Sequence, residues 1–323
     1  MPVHRGHAVP ADQRVLLCAD SLAGLSVGDA LGAQFFVPTN DPAALVTGAL
    51  PGGVWAWTDD TDMACTVAAE LVEHGTIDQD RLASAFAQRC DPYRGYGAGA
   101  VVVLHQIRDG VPWARAARSA FAGGSFGNGA AMRVAPLGAF FAGDLDQAAT
   151  QAIASAEVTH AHPEGIVGAV VVAVATSFVA QARSAGVRPT PADVVASVEP
   201  YLVPGAVARG VATAAAMLTV SVEEAVWALG NGAQTSAADT VPFALWVAAT
   251  RLSDYPAAIT ACVEAGGDVD TTGAIVGGIV AALTGVGDHD DIVGVPHAWL
   301  AHREPLPTGL LAWRGHPSDE DTR

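Results

Sequence analysis

Ile166-Val167-Gly168-Ala169-Val170-Val171-Val172-Ala173-Val174-Ala175-Thr176-Ser177-Phe178-Val179-Ala180 is the most apolar stretch of the chain. It is shorter than the ~18–20 apolar residues that a membrane-spanning helix needs, and Thr176 and Ser177 interrupt it. It reads as a helix buried on most sides within a protein core. The neighbouring runs share its character: they are long, Ala-rich and apolar at a period of 3.6 rather than 2. Helical spacing marks 14–26, 79–89, about 100–107, 111–121, 145–158, 191–202, 206–219, 222–229, 238–251 and about 254–265. Nothing in the pattern requires a sheet, and no fixed-period repeat is visible. The expectation is an all-α fold, a single compact domain of roughly a dozen or more helices. It would cover residues 13–301, with a flexible tail over 1–12 and a surface arm over 302–323.

At 323 residues the chain can bury a sizeable core. Lys and Arg number 16 against 33 Asp and Glu, a formal charge of −17. Such a field repels nucleic acid and anionic membrane, so neither is expected as a stable partner. An anionic substrate would need bound cations to offset the charge locally. Cys18, Cys65, Cys90 and Cys262 show no Cys-x-x-Cys spacing, and three of the four fall inside apolar runs. Buried free thiols fit a reducing cytoplasm. The start, Met1-Pro2-Val3-His4-Arg5-Gly6-His7, has no apolar core behind it, and no signal peptide is expected.

Two acidic stretches interrupt the apolar pattern where loops enter helices. The first is Thr58-Asp59-Asp60-Thr61, after Trp55-Ala56-Trp57. The second is Gly266-Gly267-Asp268-Val269-Asp270-Thr271-Thr272-Gly273. Thr or Asp before a helix is first of all an N-cap, and acids in the first turn favour the positive end of the helix dipole. Two carboxylates crowded into one turn, twice over, repel unless a cation or solvent separates them. The pair reads as one site. Its donors are hard oxygens with no thiol among them, which suits Mg²⁺, Mn²⁺ or Ca²⁺.

Small residues recur at helical spacing near both stretches. Gly28 and Gly32 flank Asp29-Ala30-Leu31, and Gly273 and Gly277 follow the second acidic stretch. Such faces let another backbone approach closely. Asp29, among them, reads either as a helix cap or as an exposed acid. The loop Gly123-Gly124-Ser125-Phe126-Gly127-Asn128-Gly129 opens the run Ala130, Ala131, Met132, Val134, Leu137. It reads as a plain turn, or as a loop feeding a helix whose free N–H groups cradle phosphate or sugar oxygens. Thr159-His160-Ala161-His162-Pro163-Glu164 precedes the long apolar helix. Two His two apart diverge on a helix but can share one site from a loop.

Gly28-Asp29-Ala30-Leu31-Gly32, Thr58-Asp59-Asp60-Thr61, Gly127-Asn128-Gly129 with Met132-Arg133, Thr159-His160 and Gly267-Asp268-x-Asp270-Thr271-Thr272-Gly273 occur in one order. Together they resemble the ADP-ribosylglycohydrolase family over about residues 14–285. The resemblance implies an all-α fold around a binuclear Mg²⁺ or Mn²⁺ centre. It implies metal ligation by Thr58, Asp59 and Asp60 from one motif and by Asp268, Asp270 and Thr271 from the other. It implies that Ser125, Phe126, Gly127 and Asn128 wrap a diphosphate and distal ribose, with Phe126 stacked on adenine and His160 near the bound ADP-ribose. Asp29 and Gly129, from the same motifs, are counted with the substrate-binding residues. The implied reaction is hydrolysis at ribose C1″ of an ADP-ribosylated acceptor, through an oxocarbenium-like state with a positioned water. Asp59, Asp60 and Asp270 are the candidate catalytic acids.

One position departs from the family. Many members carry a Glu shortly after the Gly-Asp-Ala-Leu-Gly motif, where this chain has Phe36. A carboxylate that the bacterial subgroup carries between the metal motifs is not evident in Tyr93–Gly99 either. Phe cannot move a proton, so a metal-ligand Asp serves as base, or another acid such as Glu164 reaches in, or catalysis is impaired. The alternatives to a hydrolase of ADP-ribosyl linkages are a non-catalytic ADP-ribose binder and a metal-dependent hydrolase of another small molecule.

Overall fold

The computed structural model describes residues 9–307. Residues 1–8 of the expected N-terminal tail and most of the C-terminal arm lie outside them; Val9 is buried and α1 begins at Ala11, inside the stretch expected as tail. Sixteen α-helices are present among the described residues. They are α1 (Ala11–Ala33), α2 (Pro42–Val46), α3 (Asp59–His74), α4 (Gln79–Arg89), α5 (Ala98–Arg108), α6 (Trp113–Ala116), α7 (Ala135–Phe140), α8 (Leu145–Glu157), α9 (Pro163–Ser184), α10 (Pro191–Val198), α11 (Ala206–Ala216), α12 (Val222–Leu229), α13 (Ala237–Thr250), α14 (Tyr255–Ala265), α15 (Val269–Thr284) and α16 (His297–His302). The expected all-α class is what is found. A two-residue hairpin, β1 (Asp288–His289) with β2 (Ile292–Val293), is the one sheet among the described residues.

α1 and α15 run antiparallel along the axis of the core, joined at their small residues. Gly24 faces Gly277, Gly28 faces Gly273, and Gly32 faces the backbone of Val269 and Asp270. A Cβ built on Gly24, Gly28 or Gly32 would land inside the opposing backbone. Each Gly inside a helix costs about 0.5–1 kcal/mol relative to Ala. Close backbone approach and the burial of α15 from Val269 to Thr284, Asp270 alone excepted, offset that cost. The close approach also fixes where Asp29 and Asp270 stand relative to each other.

α9 packs on α7 through Gly138, whose Cα lies against the Ala173 backbone, and on α13 through Gly168 against Ala237 and Val241. Val171, Val174 and Val179 on α9 are fully buried. Each contributes about 1.5–3 kcal/mol of apolar burial. α9 has 22 residues, more than the apolar run alone suggests, because Pro163 starts it and Gln181 and Arg183 carry it on. The reading of this stretch as too short to span a membrane is therefore corrected. The segments Ala11–Phe36 and Pro163–Ser184 are long and apolar enough to do so by length and composition. In the fold, 78% and 83% of their most apolar windows are buried inside the protein.

Three local expectations change. The Gly-rich loop does not feed a long helix. It passes through a 3-10 turn at Asn128–Ala130 and reaches only the six-residue α7, which Pro136 helps to start. The stretch 111–121 holds the four-residue α6 rather than a helix throughout. Within 37–57, read as loop, Asp41 caps α2 by accepting from the Ala43 N–H.

Candidate active site

Both acidic stretches start helices, but they do so differently. Thr58 is the N-cap of α3, and its hydroxyl oxygen accepts a 3.4 Å bond from the Asp60 N–H. Asp268 stands at the N-cap position of α15 without capping it through its side chain. Its Oδ2 instead accepts from Asn128 Nδ2 at 2.7 Å, and the same nitrogen donates to Thr240 Oγ1 at 3.0 Å. That bond ties the Gly-rich loop to the second acidic stretch.

The two stretches meet. One carboxylate oxygen each from Asp29, Asp60 and Asp270 lie within 4.8 Å of one another. Asp59, Asp60, Asp268, Asp270 and Thr271 line one cleft of about 500 Å³, together with Ser125, Phe126, Gly127, Asn128, Gly129 and His160. Thr58 lies just behind this wall. Its hydroxyl is 2.8 Å from Asp29 Oδ1 and 3.1 Å from Asp60 Oδ2, so its single proton serves one of them.

Asp29 stands apart from its expected role. It is fully buried and does not line the cleft. Its carboxylate accepts from the Thr58 N–H at 3.0 Å, the Thr61 N–H at 3.1 Å and the Thr61 hydroxyl, and it competes with Asp60 for the Thr58 hydroxyl proton. Asp29 thus holds the first turn of α3 from beneath and adds a carboxylate to the cluster. It is placed to anchor the acidic turn rather than to touch substrate.

The cluster is out of balance without a cation. Burial pushes the Asp29 carboxyl up to about 6. Burial, then the neighbouring Asp29, pushes Asp59 up to about 7. Asp60 is raised well above the carboxylate range by burial and then by Asp270, and Asp270 by burial and then by Asp268. Burial also raises Asp268. Asp60 Oδ1 is buried with no hydrogen-bond partner. An orphaned buried carboxylate oxygen facing other carboxylates costs several kcal/mol unless a cation meets it. The donors are all oxygens, so the residues present fit Mg²⁺ or Mn²⁺. Thr58, Asp59, Asp60, Asp268, Asp270 and Thr271 would hold such ions, with Asp29 as a further carboxylate at their back.

The other walls come from loops. Gly127 and Ser236 form an isolated β-bridge, Asn128 N–H donates to the Thr235 carbonyl at 3.0 Å, and Ala237 N–H donates to the Phe126 carbonyl at 3.0 Å. The Gly127 N–H is taken by Ser125 Oγ at 3.2 Å. Two of the N–H groups expected to cradle a ligand are therefore occupied. Phe126 is 53% exposed, with its ring edge-on to His162 at 5.6 Å. Gly95 lies over Asp59 Oδ1, and its loop is clamped from two sides. Arg94 makes a bidentate pair with Glu304 at 2.7 and 2.9 Å and stacks 3.6 Å from the Trp57 ring. Tyr96 donates to Asp62 Oδ2 at 2.9 Å.

Cleft residues that the sequence did not single out are Phe121, Gln234, Thr235 and Arg133 in its own right. Phe121 is about half exposed and packs its ring edge on Gly99, which has no side chain to obstruct it. Thr235 has φ of 50°, a left-handed conformation uncommon for Thr, at the point where its loop pairs with Asn128. No local signal announces either. Arg133 had one: a charge inside Ala130-Ala131-Met132-Arg133-Val134 must find buried partners.

Placement bears on one candidate acid, Glu164, and on Phe36, which stands where many family members carry a Glu. Glu164 accepts from the Ala206 and Val207 N–H groups at 2.7 and 2.8 Å, capping the start of α11, and does not line the cleft. The idea that it reaches into the site is corrected. Phe36 ends the 3-10 turn Gln34–Phe36, is half exposed and is not part of the cleft wall.

An all-α core with two acidic helix entrances at one cleft defines, by fold and site, a protein suited to divalent cations and an oxygen-rich ligand. The chain belongs to the ADP-ribosylglycohydrolase family, whose model matches residues 13–313. It is 31% identical to an uncharacterized protein of Archaeoglobus fulgidus over 298 residues, covering 86% of this chain and 88% of that one. It is 29% identical to human ADP-ribosylhydrolase ARH3, covering 80% of this chain and 78% of that protein. A solved structure described as an ADP-ribosylglycohydrolase-related protein complex superposes with a TM-score of 0.63 at 27% identity, covering 90% of this chain and 93% of that one.

Proposed function

We propose that this protein hydrolyses the glycosidic bond at ribose C1″ of an ADP-ribosylated acceptor and releases ADP-ribose. The observation that carries the reading is the convergence of Asp59, Asp60, Asp268 and Asp270 in a cleft that also presents Phe121 and Phe126. The relatives named as ADP-ribosylhydrolases support the same class of substrate. When bound, divalent cations would offset the diphosphate charge, orient ribose hydroxyls and acidify a coordinated water. The chain's own residues do the rest. Phe126, with Phe121 across the loop, offers aromatic faces to adenine. The 125–129 loop lies beside His160 for the diphosphate and distal ribose. Among the described residues the acids that line the cleft all belong to the cluster, so a metal-ligand Asp, one of Asp59, Asp60 and Asp270, is the candidate base.

Release of ADP-ribose from a panel of acceptor linkages, with and without EDTA, tests this. Activity that survives both EDTA and the Asp59→Ala and Asp270→Ala substitutions in folded protein overturns it.

A second reading rests on Phe36 and Glu164. With no acid at the first position and the second tied to α11, the cleft keeps its ligand walls but lacks a carboxylate outside the cluster. A non-catalytic ADP-ribose binder follows. ADP-ribose binding with no turnover of any linkage, and turnover gained by Phe36→Glu, would favour it.

A further inference from the structure

Arg133 is fully buried and has no carboxylate partner among the described contacts. Its guanidinium stacks 4.6 Å from the Phe86 ring. Nη2 donates to the Ser155 carbonyl at 2.7 Å and to Thr159 Oγ1 at 3.0 Å. Ser155 lies in the last turn of α8, where unpaired carbonyls and the helix dipole favour a cation. That bond accounts for the charge being tolerated. It does not account for the second bond, which leads toward the cleft.

Thr159 Oγ1 is 2.8 Å from His160 Nδ1. Thr159 and His160 are both buried. A guanidinium only donates, so Arg133 fills one acceptor position on the hydroxyl and polarises its O–H. The hydroxyl proton then needs an acceptor, and His160 Nδ1 is the one within reach. Were Nδ1 to carry the proton instead, the hydroxyl would receive two donors, one of them cationic, and its own buried proton would have no partner. With Nδ1 as acceptor, the ring proton sits on Nε2. Nε2 has no hydrogen-bond partner among the described residues, and His160 lines the cleft beside Gly127 and Gly129.

We propose that Arg133, acting through Thr159, is a positioning residue that fixes His160 as the Nε2–H tautomer, so that the cleft offers the ligand a neutral hydrogen-bond donor. The ligand atom opposite it is an acceptor, a phosphate or sugar-hydroxyl oxygen; that half rests on the ADP-ribose reading, while the tautomer does not. Burial and then Arg133 itself push the His160 pKa down to about 3, so the ring stays neutral. Burial lowers Arg133 only to about 9, so the relay keeps its cation at neutral pH. The charge stays at the base of the relay, and the cleft receives its polarisation rather than a second titrating group.

Long-range ¹H–¹⁵N correlation of the imidazole nitrogens, in ligand-free protein at neutral pH, reads the tautomer directly. His160→Gln assigns the resonances. The wild type is expected to show a protonated Nε2 and an unprotonated Nδ1. Thr159→Val keeps the shape and removes the hydroxyl, and it should populate the Nδ1–H form; Thr159→Ser should restore the wild-type pattern. Arg133→Met removes the cation, but it is buried and can fail to fold, so Thr159→Val carries the test. An Nδ1–H wild type, or a tautomer unchanged by Thr159→Val, overturns the proposal. Calorimetry with ADP-ribose should show Thr159→Val binding about tenfold more weakly and Thr159→Ser near wild type. A wild type with the expected tautomer that binds no ADP-ribose upholds the relay and overturns the ADP-ribose reading.

Discussion

Gly28 and Gly273 meet backbone to backbone, each with its Cα against the carbonyl of the other. Asp29 follows Gly28 directly on α1, and Asp270 precedes Gly273 by about one turn on α15. The carboxylate cluster is thus built beside a helix crossing in which the two backbones touch. Gly28→Ala forces the two backbones apart. Overpacking of this kind costs about 1–3 kcal/mol, and here the obstruction is backbone, which does not rotate away. We expect a melting temperature lowered by several degrees and a larger fractional loss of stabilisation by Mg²⁺ or Mn²⁺. Gly52→Ala, where an added methyl meets nothing, is the control and should stay within about 0.5 kcal/mol of wild type. Unchanged cation stabilisation in Gly28→Ala would detach the crossing from the site.

The raised carboxyls give ligand-free protein a distinctive pH dependence. A carboxyl that holds its proton more tightly folded than unfolded adds stability below its unfolded pKa and loses it as pH rises through the folded value. For Asp29 the window runs from 3.8 to about 6, and for Asp59 from 3.8 to about 7. Asp60 and Asp270 act in the same direction. His160, held down from 6.5 to about 3, works the other way but is one group against several. In EDTA, stability should therefore fall between about pH 4 and pH 7. Added Mg²⁺ or Mn²⁺ should raise the melting temperature more at pH 8 than at pH 5, because cations compete with protons for the same oxygens. Equal shifts at both pH values, or none, would show that the cluster holds no cation.

Much of the fold was legible because helix ends carry their own chemistry. Gln79–Arg89 and Val222–Leu229 stand where periodicity put them, with Asp78 and Ser221 as caps. Asp41-Pro42 carried the same kind of signal and still marked a helix, α2, inside a segment rich in Pro and Gly. The small faces at Gly28 and Gly273 were visible one at a time. Their partnership was not, because it joins positions far apart in the chain and depends on the whole core. The cleft divides along the same line. Asp59, Asp60, Asp268 and Asp270 announce themselves as unbalanced charge. Phe121 and Thr235 have no such mark: Thr235 reaches the wall where its loop pairs with Asn128, and Phe121 where its ring packs on Gly99. The burial of Asp29 beneath Thr58 and Thr61 is a tertiary outcome of the α1–α3 packing.

Glu164 separates a structural acid from a chemical one. Its two oxygens satisfy two of the free N–H groups that open α11. Glu164→Ala should cost about 1–2 kcal/mol of stability, in line with the loss of a charged helix cap. Turnover by the folded variant should stay within a few-fold of wild type. A loss of a hundredfold or more in kcat, with the fold intact by circular dichroism, would return Glu164 to the catalytic candidates.

Phe121 and Phe126 reach the same cleft from opposite ends of one loop, yet they are held differently. Phe126 has its backbone carbonyl bonded to Ala237 and its ring edge against His162, so its face is preset. Phe121 packs its ring edge on Gly99, and its carbonyl accepts from the Gly124 N–H at 2.9 Å within the loop's own turn. Stacking a base on an aromatic ring is worth about 1–3 kcal/mol by alanine substitution, which is roughly 5- to 150-fold in Kd. Phe126→Ala should fall near the upper part of that range for ADP-ribose, since a prearranged ring loses little entropy on binding. Phe121→Ala should fall near the lower part. Ribose 5-phosphate, which has no base, should bind both variants as it binds wild type. Isothermal titration with the two ligands separates the outcomes: if ribose 5-phosphate weakens as much as ADP-ribose, the rings shape the cleft without holding a base.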